Sequence, residues 1–177
     1  KRVFYFETKY STNNIVNNIL ACISVLFALN LNLNIMKKKF TNFAIPSGRG
    51  DIKIVKKFNK KFKFIDESYN ANPLSMKSAI RNIAGFRKKR GKKIIFLSDM
   101  LELGFNSKKY HRLLSKYINK TNIDKVHVYG NHIKETFKFL KKQKKGQVIK
   151  KPNNIFRVLK KDISNNDILM IKGSNGT

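Results

Sequence analysis

The chain has 177 residues and carries 39 Lys+Arg against 10 Asp+Glu, a formal net charge of +29. That length holds one full domain and part of another, and a 41% hydrophobic share with 14 Phe supplies a real core and excludes wholesale disorder. The single Cys22 excludes an internal disulfide framework. Of the basic residues 32 are Lys and seven are Arg, beside 21 Asn. Lys, Asn, Ile and Phe rising together is what an AT-rich coding sequence produces without any partner. Charge of this size draws polyanions in a salt-sensitive way, but it speaks to solubility and association, not to fold.

In chain order, residues 3–9 are aromatic and β-branched and read as a strand. Residues 13–33 read as a buried helix, with Ile15, Ile19, Cys22, Leu26 and Leu29 at helical spacing. Asn17, Asn18, Asn30 and Asn32 keep its apolar run short of the ~20 residues of a membrane span. No basic segment leads directly into that run, as a signal peptide requires. Cys22 is expected in a core rather than as a nucleophile. The start at Lys1 and the stop at Thr177 read as a piece of a longer protein. Pro46-Ser47-Gly48-Arg49-Gly50 is the strongest break and reads as an inter-domain linker.

Beyond it the pattern alternates. Strands are expected at 61–66, 93–97, 125–129, 148–149 and 168–171, and helices at 75–89, 107–119, 132–142 and 152–160. Strands separated by helices of this length predict an α/β fold, a mostly parallel sheet flanked by helices. Ligands in such sheets sit at the carboxyl ends of the strands. The informative turns are therefore 66–73, 98–104, 130–131 and 172–176.

The first turn gathers Asp66, Glu67, Ser68, Asn70 and Asn72 ahead of Pro73. A carboxylate there can hold a sugar hydroxyl or a metal shell, and amides can orient a nucleotide or peptide. Equally, Asn72 or Ser75 can cap the following helix with Pro73 in its first turn. In the second turn Asp99 leads Met100-Leu101-Glu102-Leu103-Gly104, with His111 on the next helix. His111 is an acid/base group, a donor to substrate or, most commonly for such a position, a helix-surface histidine. His127 and His132 read as structural. Lys172 and Ser174 on the last turn can meet phosphate or carboxylate, but Lys172-Gly173-Ser174 is not a Walker A loop. Neither a Cys/His metal cluster nor a Gly-x-Ser-x-Gly elbow occurs.

Taken in order, Gly48-Arg49-Gly50, Ile65 through Met76 (IDESYNANPLSM), Asp99 through Gly104 (DMLELG) with His111, and Lys172-Gly173-Ser174 are far more specific than any one alone. With these strings the chain resembles the Mur ligases of peptidoglycan synthesis. Tyr69-Asn70-Ala71-Asn72-Pro73 is similar to the branch that adds D-alanyl-D-alanine to UDP-N-acetylmuramoyl-tripeptide. Residues 13–28 also look like a family helix. Three positions depart from the pattern: Glu67 stands for a second Asp, Ser98 for a Gly, and Asn13 for a His.

The resemblance implies that residues 1–46 end a central P-loop ATPase domain and 47–177 form a Rossmann-like C-terminal domain, incomplete at its end. It implies the substrates ATP, UDP-N-acetylmuramoyl-tripeptide and D-alanyl-D-alanine, coupled through an acyl phosphate. Mg2+ is implied too, its main ligands upstream and none here, so this segment alone should be inactive without the P-loop. By matching position, Asn17 would face adenine and Arg49 the ATP phosphates or ribose, while Asp66 and Glu67 would hold the ribose or order their loop. Asn70 and Asn72 would shape the dipeptide or nucleotide pocket, with Asp99 beside them, and Lys172 and Ser174 would contact substrate carboxylate or phosphate. A cytoplasmic monomer with no specific nucleic-acid partner is expected. The alternatives are a neighbouring ligase of the superfamily, one acting on folate included, and a basic α/β module that holds nucleic acid.

Overall fold

The computed structural model describes residues 3–8, 13–36, 39–41, 44–87 and 90–176. The chain divides into two compact units, Lys1–Ile45 and Pro46–Thr177. In the first, helix α1 spans Asn13–Ala28 and a short 3-10 turn covers Leu33–Met36. Residues 3–8, expected as a strand, form none; residue 9 lies outside the described residues. The helix stops five residues short of the expected end, where Asn30 takes a positive φ of 52° and Leu31 N–H returns to the Leu26 carbonyl at 3.0 Å. Nor is it buried: Leu20, Val25 and Phe27 are more than half exposed, and Cys22 is exposed as well. Among the described residues of this unit, too little packs over that face to make it a core. No described helix is long and apolar enough to cross a membrane.

The second unit runs β1 (Asp51–Lys57), β2 (Lys60–Glu67), α2 (Pro73–Gly85), β3 (Lys93–Ser98), α3 (Ser107–Asn119), β4 (Lys125–Tyr129), α4 (Lys134–Lys138), β5 (Lys145–Ile149), α5 (Asn154–Asp162) and β6 (Ile168–Lys172). The strands form one sheet in the order β1-β2-β6-β3-β4-β5, antiparallel only between β1 and β2. The strand β1 was not expected from its Lys-rich sequence. It joins β2 through a two-residue turn, Phe58-Asn59, with φ of 58° and 57°. Two successive left-handed residues match the twist of a hairpin, and Asn tolerates that conformation while Phe does so rarely.

The crossovers β2–α2–β3, β3–α3–β4 and β4–α4–β5 all step the same way across the sheet, so right-handedness places their helices on one face. The return from β5 to β6 runs the opposite way, which sends α5 to the other face. The core divides accordingly. Met76, Ile80 and Ile83 of α2 and Leu114 and Ile118 of α3 pack with Ile95, Leu97, Val126 and Met170. Leu159 and Ile163 at α5 pack with Phe62, Ile94 and Leu169 on the opposite face. Adjacent residues of β3 thus point to different cores, and the whole strand is buried.

The helix expected at 132–142 is reduced to α4, because the Asn119 side chain donates to the Phe139 carbonyl (3.0 Å) and accepts from Lys141 N–H (2.9 Å), halting the turn there. Replacing Ile80, fully buried between α2 and the sheet, by Ala should cost roughly 2–5 kcal/mol of unfolding free energy by denaturant titration; a loss below ~0.5 kcal/mol would contradict this packing.

Candidate functional site at the carboxyl rim

Parallel register decides where the polar turns meet. Glu67 at the end of β2 pairs with Lys172 at the end of β6, Lys172 pairs with Leu97 of β3, and Ser98 pairs with Tyr129 of β4. Asp66, Asp99, Gly130 and Lys172, spread over more than a hundred positions, therefore lie along one rim.

Four buried side chains tie the rim turns together. The Lys172 ammonium, 2% exposed, donates to the Asn70 carbonyl at 2.9 Å and lies 3.5 Å from the Glu67 carboxylate. Burial pushes the Lys172 amine down and the Glu67 carboxyl up, and each is partly restored by its neighbour's charge. The Ser174 hydroxyl accepts from Leu101 N–H (3.0 Å) and donates to the Ala71 carbonyl (3.2 Å), while its own N–H reaches the Asp99 carbonyl (2.9 Å). Asp99 accepts at one oxygen from Asn131 N–H (2.8 Å) and at the other from Ile133 N–H (2.7 Å). Gly130 makes room for this carboxylate: its φ is 134°, and a Cβ there would sit 2.5 Å from an Asp99 oxygen.

The fourth brace is His111. It is fully buried, not on the helix surface, and both ring nitrogens are engaged. Nε2 accepts from Met100 N–H at 3.1 Å, and Nδ1 lies 2.8 Å from the Ser107 carbonyl, a pairing that places the proton on Nδ1. Burial holds its pKa below the ordinary value. The ring fastens the start of the 100–107 turn to α3.

Around β2 the contacts are looser and more exposed. The Arg49 guanidinium is exposed and stacks over the Tyr69 ring with its carbon 3.9 Å from the centroid. Gly48 has φ of 77° and would push a Cβ to 2.8 Å from Tyr69 N; Gly50, at φ of 93°, donates to the Asp66 carbonyl at 2.7 Å. The two glycines thus lay the Arg49 backbone against turn 66–69. Asp66 accepts from Ser68 N–H (3.1 Å) and Ser68 hydroxyl (2.6 Å). The Asn70 side chain accepts from Ala71 N–H at 2.7 Å. Asn72 caps α2: it accepts from Ser75 N–H (2.8 Å), Ser75 hydroxyl takes the Asn72 N–H (3.0 Å), and Pro73 occupies the first turn. Asn17 is exposed on α1 in the first unit; every other candidate belongs to the second.

Beside these braces opens a cleft of about 480 Å³ at the ends of β3, β4 and β5, lined by Asp99, Asn131, Lys134, Lys150 and Gly176 among others. Asn131, Lys134 and Lys150 were not singled out from the sequence as ligand contacts. Their only signal was position, since each closely follows a strand end. Among the described residues no three His, Cys, Asp or Glu side chains gather into a metal-holding group.

A family model for "Mur ligase, glutamate ligase domain" matches residues 52–175. The chain belongs to the Mur ligase family. It is 33% identical to the UDP-N-acetylmuramoyl-tripeptide–D-alanyl-D-alanine ligase of Buchnera aphidicola from Acyrthosiphon pisum, over 92% of this chain and 34% of that protein. Its fold is similar to that of MurF from Acinetobacter baumannii, with a TM-score of 0.78, 20% identity, and coverage of 96% of this chain and 36% of the other. It is also similar to MurF from Thermotoga maritima in complex with ADP, with a TM-score of 0.73, 24% identity, and coverage of 93% and 35%. The chain spans about a third of the length of the curated relatives it matches.

Two outcomes follow from this Mur ligase rim. Asn72→Ala should lower stability by ~1 kcal/mol, with Asn72→Ser retaining most of it; equal loss in both would refute the cap. His111 and His127 both carry pKa values lowered below 6.5 by burial, so the folded state binds fewer protons than the unfolded one. Their contribution is fully present above pH 6.5 and is lost as pH falls through the folded values. His111→Gln should flatten part of that acid slope in melting temperature against pH; an unaltered slope would exclude the buried neutral ring.

Proposed function

We propose that this chain is part of an ATP-dependent ligase that joins D-alanyl-D-alanine to UDP-N-acetylmuramoyl-tripeptide, in the cytoplasm where its nucleotide substrates are made. The supporting observation is the meeting of turns 48–50, 66–72, 99–104, 130–133 and 172–174 at one rim, together with relatives bearing that activity in their names. Residues 1–46 belong, on this reading, to a central ATPase domain. The exposed apolar face of α1 supports it, since such a face is normally covered. Residues 47–177 form the C-terminal domain.

In this reaction ATP phosphorylates the tripeptide carboxylate, the dipeptide amine attacks the acyl phosphate, and phosphate leaves. Charge builds on the carbonyl and phosphoryl oxygens, so fixed cations and N–H donors aimed there carry the rate. The exposed Arg49 fork fits the ATP phosphates or ribose, with Asp66 and Glu67 ordering the turn it lies against. Asn17 is assigned to the adenine. The cleft beside Asn131 fits the dipeptide, whose carboxylate Lys134 and Lys150 can attract. Asp99 and Ser174 hold the turns beside that cleft and His111 does the same from behind, while Asn70, Asn72 and Lys172 on the neighbouring turn shape the dipeptide or nucleotide pocket. Among the described residues no group of three His, Cys, Asp or Glu side chains gathers, and none is assigned to Mg2+. Holding an amine against an acyl phosphate can supply ~7–11 kcal/mol through effective molarity, which gives a separate positioning domain its purpose.

In the complete ligase, release of phosphate from ATP should require both the tripeptide and D-alanyl-D-alanine; release driven by glutamate and a folate instead would reassign the enzyme. Arg49→Ala should raise KM for ATP about tenfold, the scale of a charge-assisted contact. Lys150→Ala should raise KM for the dipeptide and leave that for ATP unchanged; the reverse pattern would exchange the two assignments.

A further inference from the structure

At the pole opposite the rim, by the amino ends of β2 and β6, two clefts adjoin at Lys61. One, of about 420 Å³, is formed by the β1–β2 turn and Asn165 and presents Lys56, Lys57, Lys60 and Lys61. The other, of about 570 Å³, presents Lys61, Lys63, Arg87 and Arg90 around Ile54. The one acid among their lining residues is Asp167. It is buried, and its two oxygens accept from Lys92 N–H (2.6 Å) and Ser164 N–H (2.7 Å), so it is held inward. The Lys60 ammonium is bonded to the carbonyls of Lys160 and Ile163, but Lys56, Lys57, Lys61 and Arg90 extend exposed.

Aromatic rings flank these cations. Phe58 lines the first cleft, and Phe156, 60% exposed on α5, meets it edge to face at 6.5 Å. The Lys57 ammonium sits 4.8 Å from the Phe156 ring centre. Concave walls, cations with no outward-facing acid among the lining residues, and rings at the cleft edge, Phe156 exposed and Phe58 half-buried, are the combination that holds a single polynucleotide strand, phosphates on the cations and bases against the rings. A bilayer surface is flat and would touch only the edges of such clefts. Lys, a compact point charge, suits phosphate contact without base readout.

We propose that this pole binds single-stranded nucleic acid through its phosphate backbone, without sequence preference. The site lies at the end of the sheet away from the rim and is independent of the ligase reaction.

The test is fluorescence anisotropy of a labelled uridine oligonucleotide, titrated with the whole chain at several salt concentrations. Two variants remove the same charge: Lys56→Gln, Lys57→Gln, Lys61→Gln and Arg90→Gln at the pole, and Lys108→Gln, Lys109→Gln, Lys116→Gln and Lys120→Gln on α3 and at its C-terminal cap, all at exposed positions. The polar variant should bind at least ~tenfold more weakly, and its slope of log K against log salt should shrink by ~2–3. The α3 variant should bind within ~threefold of the parent. The pairs Lys56→Gln with Lys57→Gln, and Lys61→Gln with Arg90→Gln, each give a partial loss and serve if the fourfold variant does not fold. Equal losses in the two fourfold variants, or no binding by the parent, would overturn the site. Tighter association with phosphatidylglycerol vesicles than with the oligonucleotide, abolished by Phe156→Ala, would overturn the choice of partner in favour of a membrane surface.

Discussion

Parallel pairing of β2, β6 and β3 is the constraint on which the rest depends. Once Glu67 lies opposite Lys172 and Lys172 opposite Leu97, the turns after these strands have no choice but to share a rim. Pairing alone would bring the turns close without fixing them. The buried polar side chains do the fixing: each of Lys172, Ser174, Asp99 and His111 bonds backbone groups of a turn other than its own. A buried polar group is costly unless it is bonded, so these contacts favour one arrangement of the rim strongly over others.

This division of labour changes how the polar residues of the motifs are understood. Asp99, His111 and Lys172 look like reactive groups in a sequence, because charge and imidazole are what chemistry uses. In the fold their polar atoms face inward and are engaged by main chain. Among the polar groups presented outward are Arg49 and the Asn131, Lys134 and Lys150 side of the cleft. The glycines complete the design: Gly48 lets Arg49 lie on Tyr69, and Gly130 lets the Asp99 carboxylate reach the backbone beyond it.

The sheet of the second unit was legible because its inner strands are continuous apolar runs and their connections are long enough for helices. KIIFL and ILMI can hardly be anything but buried strands. The strand β1 was not legible: as the edge strand it exposes Ile52 and Ile54, and its turn uses a Phe in a conformation that Phe rarely adopts. The end of α4 was hidden for another reason, since Asn119 halts it from a different helix. The Asn72 cap was readable from Asn-Pro-x-Ser spacing, whereas the burial of His111 depends on the turn at Met100 arriving in space. Helix α1 shows the limit of periodicity: the apolar spacing was real, but spacing does not say whether anything covers it.

The proposed ligase reaction requires nucleotide and amine to meet at this rim. The most direct measurement is a crystal structure of the complete ligase with a non-hydrolysable ATP analogue and D-alanyl-D-alanine. The expected result is the Arg49 guanidinium within hydrogen-bonding distance of the nucleotide and the dipeptide carboxylate between Lys134 and Lys150, with the Lys172 and Asp99 bonds unchanged. Both ligands bound with no contact to residues 48–50 or 130–150 would contradict it.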